Sequence, residues 1–151
     1  SRGLGDVYKR QALTQTQCTI FKQNCLSGLE NFAVGTPYTY NIALYTNVAT
    51  LNESTLAYTT DGEISGTGYS PGGQALTISQ RPASSGNTAY ISFANVTWNP
   101  ANFTATGALI YNATTNAAVA VLNFGAEKTA TSTFTITFPT ADASNAIIRL
   151  S

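Results

Sequence analysis

Two hydrophobic periods divide the chain. From Leu13 to Phe32 (LTQTQCTIFKQNCLSGLENF), Ile20, Phe21, Cys25, Leu29 and Phe32 recur at intervals of three and four, which predicts one helix with a single apolar stripe. Thr14 or Thr16 is placed to cap its start, Gly28 weakens its last turns, and Gly35 with Pro37 closes it. From Tyr38 the period becomes two. Tyr38, Tyr40, Ile42 and Leu44 alternate with Thr39, Asn41 and Ala43, as in a half-buried strand. Between Asn47 and Asp61 the apolar residues lose their rhythm, and a short helical turn near Asn52 to Ala57 is expected inside a loop. Glu63 to Gly73 (EISGTGYSPGG) is a turn-rich connection.

Further strands are predicted at Gln74–Gln80, Ala89–Trp98, Thr104–Tyr111, Ala118–Phe124, Thr133–Phe138 and Ala146–Leu150. Asn99 to Asn102 and Asn112 to Asn116 punctuate them, and Ala108 to Phe124 has the form of a hairpin. One N-terminal helix followed by about seven closely spaced strands predicts a mainly β domain, an antiparallel sandwich or small barrel. The faces Tyr38/Tyr40/Ile42/Leu44 and Ala89/Ile91/Phe93 should form its core. The lone Trp98, beside a turn, reads as a core or edge anchor.

Composition narrows the chemistry. The 151 residues suit one domain, and 43% hydrophobic content is enough to build a core. Histidine is absent, which removes the commonest general base and metal ligand, and only 9% of residues are charged. A formal net charge of zero argues against binding nucleic acid by phosphate neutralisation. No apolar run approaches the roughly 20 residues of a membrane span, and no signal-peptide pattern opens the chain. Neither a metal nor a cofactor is expected. Cys18 and Cys25, seven apart in one helix, would lie about 10 Å apart, beyond disulfide reach, as small buried groups.

Individual motifs add little. Gly66-Thr67-Gly68 lacks the following helix and lysine of a phosphate loop and reads as a turn. Asp61 and Glu63 flank a glycine; they are expected to be solvated loop carboxylates, with an acid–base pair or calcium site as the alternative. The four glycosylation sequons, at Asn52, Asn95, Asn102 and Asn112, are near the roughly three that this composition yields by chance.

Two resemblances complete the reading. Ser1 to Gln11 (SRGLGDVYKRQ) resembles the conceptual translation of a transposase mosaic-end sequencing adapter, which implies an artefact to be set apart from a domain at 12–151. Its net charge of +2 leaves the remainder at −2. Asn41 to Thr46 (NIALYT), Glu63 to Tyr69 (EISGTGY) and Ala108 to Asn112 (ALIYN) resemble a family of short virion structural proteins of marine tailed bacteriophages. Phe93 to Trp98 (FANVTW), Val119 to Gly125 (VAVLNFG), Phe134 to Pro139 (FTITFP) and the segment from Phe21 to Phe32 extend the similarity. In order and spacing these blocks cover most of Gln17 to Leu150.

The resemblance implies a virion component, assembled in the host cytoplasm, with no catalytic residues to transfer. The leading expectation is a non-enzymatic capsid decoration or cement protein. A tail or adaptor component contacting a host receptor, and a glycan-binding or glycan-cleaving module, are the alternatives. Expected partners are the major capsid protein or other virion proteins and further copies of the chain, with no nucleic acid and no membrane. Tyr45, Tyr58, Tyr69 and Tyr90 are the candidate interface residues, because tyrosine buries a large ring while its hydroxyl keeps a partner.

Overall fold

The computed structural model describes residues 13–151, so the adapter-like segment lies outside the described residues. The domain is a mainly β, antiparallel sandwich with one helix. Its elements are β1 (Thr16–Gln17), α1 (Thr19–Leu26), β2 (Tyr40–Tyr45), β3 (Gln74–Ala75), β4 (Ile78–Ser85) and β5 (Thr88–Phe93). They continue with β6 (Val96–Trp98), β7 (Phe103–Asn112), β8 (Ala118–Ala130), β9 (Phe134–Ile136) and β10 (Ile148–Leu150). A five-stranded sheet runs β1-β8-β7-β2-β3, a three-stranded sheet β10-β5-β4, and β6 pairs with β9.

The predicted hairpin is the spine of the large sheet. Asn112 builds its turn: the side-chain carbonyl accepts from the Thr114 and Thr115 amides at 3.0 and 3.2 Å, and Asn116 adopts φ +70°. Asn112 is fully buried, so this sequon is structural. Farther along, the register passes from Gly107↔Asn123 to Ala105↔Lys128, a bulge that contains Gly125 at φ +86° and bends β8.

The strand predicted as half-buried is covered on both faces. Tyr40, Ile42 and Leu44 share one face, where Phe32 stacks on Tyr40 at 4.4 Å and meets Phe93 of β5 edge-on at 6.2 Å. Ala43 and Tyr45 point the other way and are equally inaccessible, because the long excursion from Thr46 to Gly73 folds back over that side. Tyr58 of the excursion stacks on Tyr111 of β7 at 4.8 Å. A second aromatic group, Trp98, Phe103, Phe134 and Tyr69, fills the end of the sandwich beside β6 and β9, making Trp98 the anchor expected of it.

Several expectations need correction. The helix spans eight residues, not Leu13–Phe32. Leu13 bridges Leu51 in parallel, and Thr16–Gln17 pair with β8, so sheet hydrogen bonds claim the backbone that local propensity offered to a helix. Cys18, not a threonine, precedes the first turn, and its side chain does not cap it. Gly28 at φ +76° follows the last turn; beyond it Leu29 is exposed, whereas Phe32 reaches the core from a loop. Cys18 is buried and Cys25 half-buried, both as free thiols, and burial pushes each up to about 11. Among the described residues the strands number ten because breaks at Leu76–Thr77 and Ala94–Asn95 split two predicted runs, and β1 replaces helix. Asn52–Thr55 is a hydrogen-bonded turn, not a helical one. In the predicted core faces Tyr38 is half-buried and Ala89 exposed, while the remaining five residues are buried.

Gly73 marks the tightest constraint. Its φ is +78°, and an added Cβ would collide with the Ile42 carbonyl of β2. Gly73→Ala should therefore lower stability by about 3 kcal/mol in urea unfolding, combining backbone strain with displacement of β3 from β2. A change below about 0.5 kcal/mol would show that the excursion does not press on β2 as described.

Candidate assembly surface

The four tyrosines singled out from the sequence separate into inside and outside. Tyr45 and Tyr69 are buried within the chain and are corrected here: neither offers a face to a partner. Tyr45 donates to the Thr59 carbonyl at 2.7 Å. Tyr69 donates to Glu63 at 2.5 Å and accepts from the Leu44 amide at 3.0 Å. Tyr58 and Tyr90 are half-buried, and they lie in different neighbourhoods.

Glu63 is the hub of the inner group, not a solvated loop acid. One carboxylate oxygen accepts from Tyr58 at 2.6 Å; the other accepts from Tyr69 and from the Gly72 amide at 2.8 Å. Tyr111 donates to the Gly72 carbonyl at 2.7 Å, closing the network onto β7. Burial first, and the hydrogen bond to the Glu63 carboxylate second, hold the Tyr58 and Tyr69 hydroxyls above the ordinary phenol range. A carboxylate with its oxygens so engaged is a structural clamp on the excursion, and Asp61, two residues away, is exposed. The arrangement is that of a fastening, not of a paired acid and base.

A second acid sits where the loop after α1 meets the large sheet. Glu30 accepts from Tyr40 at 2.9 Å and from the Asn112 amide at 3.0 Å, both at one oxygen. Its other oxygen is buried without a hydrogen-bond partner. Burial raises the Glu30 carboxyl above its ordinary 4.5, against the lowering pull of Asn112, Tyr40 and Asn24.

The outer surface is different in kind. Phe21, Cys25 and Phe32 on one side, and Pro82, Tyr90 and Leu150 on the other, line an apolar groove of about 120 Å³ between α1 and the three-stranded sheet. The segment joining Cys25 to Phe32 carries Leu26, 92% exposed, and Leu29, with Val34, 83% exposed, just beyond it. Arg81 of β4 fixes this segment by donating to the Phe32 and Ala33 carbonyls at 3.1 and 2.9 Å. The loop is thus held with its leucines and valine outward, beside the groove that Tyr90 lines. Of the four predicted interface tyrosines, Tyr90 alone belongs to this surface. Leu29 was assigned to the helix stripe and so to the core; without helix geometry beyond Leu26, it turns out to solvent. Among the described residues no group of three or more cysteines, aspartates or glutamates is placed to hold a metal. No helix is long and apolar enough to cross a membrane.

Comparison with known proteins places nothing beside it: no family model, no curated protein and no solved structure matches the chain.

Glu30 makes stability depend on pH with a definite sign. A carboxyl raised in the folded state favours folding while protonated, and that contribution disappears as pH rises from about 4.5 through the raised folded value. The urea midpoint of the native chain should therefore fall across this interval relative to Glu30→Gln, which keeps an acceptor for Tyr40 and Asn112 and removes the charge. Parallel midpoint–pH curves for the two proteins would contradict the burial argument.

Proposed function

We propose that this is a non-enzymatic structural protein of a tailed-bacteriophage virion, acting as a capsid decoration or cement protein that associates through the apolar surface beside α1. The carrying observation is the fixed loop that holds Leu26, Leu29 and Val34 outward next to an apolar groove. Exposed large apolar residues gathered on one short segment of chain suit an interaction site on a folded domain. The virion assignment itself comes from the resemblance of the blocks between Gln17 and Leu150 to phage structural proteins. The engagement of Glu63 as a clamp favours this reading over glycan cleavage, which needs a carboxyl free to exchange a proton.

With ten charged residues after Gln11, contacts among copies and with the shell rest on apolar area and hydrogen bonds, and screening by salt touches them little. The expected partners are the major capsid protein and further copies of this chain. Locating the chain in a virion density map tests the proposal: ordered copies over the capsid lattice support it, and copies confined to the tail replace it with the tail or adaptor reading. Light scattering should show association that persists in high salt and is weakened about tenfold by Leu26→Asp with Val34→Asp. A strict monomer, or one that meets its shell only at low ionic strength, would overturn the apolar docking mode.

A further inference from the structure

A groove of about 480 Å³ lies on another side, between the edge of the large sheet at β1 and the edge of the small sheet at β10. On each side of the groove a glutamine side chain occupies a backbone amide. The Gln17 amide oxygen accepts from the Arg149 N–H of β10 at 2.8 Å. The Gln15 amide oxygen accepts from the Asn123 N–H of β8 at 2.9 Å, where β8 runs past the end of β1. A side-chain primary amide has the same carbonyl as a peptide bond. On the β10 edge Gln17 therefore stands where the carbonyl of an additional strand would stand, while at Asn123 the chain's own Leu13–Gln15 segment takes that place, its Leu13 carbonyl accepting from the Asn123 side chain at 2.9 Å.

Charge gives the groove a sign. Lys22 and Arg149 both line it, and among the described residues no acidic side chain does. The described chain holds four basic residues against six acidic ones, so half of its cations face this one groove in a domain of net negative charge. The Lys22 ammonium makes no hydrogen bond or ion pair with any described residue, and its backbone amide donates to the Cys18 carbonyl at 3.3 Å. Arg149 uses one guanidinium nitrogen on the Ser144 carbonyl at 2.7 Å and retains others. Asp142, the acid nearest to Arg149 in sequence, has its oxygens engaged by the Ser144 and Asn145 amides and by the Asn145 side chain.

We propose that the groove between β1 and β10 binds an extended, acidic polypeptide segment of a partner protein by strand addition. A carbonyl of the segment displaces Gln17 from the Arg149 N–H, and its carboxylates meet Lys22 and Arg149. The chain's own residues 1–12 are a poor occupant by charge, carrying three basic residues and one acidic one. This surface is separate from the apolar one, and the inference holds whether or not the protein belongs to a virion.

The test uses the full chain, ¹⁵N-labelled, and the blocked hexapeptide Thr-Val-Glu-Val-Glu-Thr, with its Lys-for-Glu analogue and inorganic phosphate as controls. The acidic peptide should shift and protect from exchange the Arg149 backbone amide, and shift the side-chain amide of Gln17 as it is displaced. Lys22→Glu, which breaks no contact in the fold, should weaken it about tenfold, and Gln17→Ala should strengthen it by removing a competing acceptor. The lysine peptide should not bind. Absence of binding, equal binding of both peptides, or equal displacement by phosphate without protection of the Arg149 amide would overturn the proposal. Binding that appears only after deletion of residues 1–12 would assign the groove to the chain's own leader and overturn it as well.

Discussion

Everything in this domain is arranged around β2, a six-residue strand with no solvated face. The ladder to β7 satisfies one edge of it, while the other is bordered by only two residues of β3 and by the returning excursion. A strand in that position would leave backbone groups and Tyr45 exposed unless something covered them, and unpaired buried polar groups are costly. Glu63 supplies the cover. Its carboxylate gathers two tyrosine hydroxyls and the Gly72 amide, and the same segment delivers the Ile64 amide to the Leu44 carbonyl. One carboxylate, holding two tyrosine hydroxyls and a backbone amide, fastens the excursion so that the Ile64 amide and the Tyr69 hydroxyl meet this edge as a further strand would.

That arrangement separates the two sides of the molecule. On the excursion side, the tyrosines are turned inward and hold the fold together. On the helix side, the loop after α1 is pinned by Arg81 and by the Glu30–Tyr40–Asn112 network, with apolar side chains left facing outward. Rigid presentation of apolar groups lowers the ordering cost of association, which is why a short, well-fastened loop suits docking better than a mobile one. On the proposed reading, Arg81 and the Glu30 network would serve assembly indirectly, by fixing the backbone from which Leu29 and Val34 project.

The β-rich class and the β7–β8 hairpin were legible in the chain, since alternation and turn residues are local signals. So was the burial of Tyr40, Ile42 and Leu44. What escaped was decided by distant chain. Leu13 to Gln17 reads as helix until β8 and Leu51 claim its hydrogen bonds. Tyr45 reads as amphipathic because period two implies one wet face; the dense run Ile42-Ala43-Leu44-Tyr45 was the available hint that both are dry. Glu63 stood out as a charge among glycines with Tyr58 and Tyr69 close by in sequence, yet its clamp role needs the loop closed in three dimensions. The meeting of Lys22 with Arg149 leaves no trace in spacing at all.

Hydrogen exchange, compared between the assembled and the dissociated protein, tests the central claim that association uses the helix side. The account predicts new protection confined to the amides of 24–35 and of 81–91, with the Thr46–Gly73 excursion unchanged. Protection that falls on the excursion, with the loop after α1 exchanging as freely as before, would contradict it.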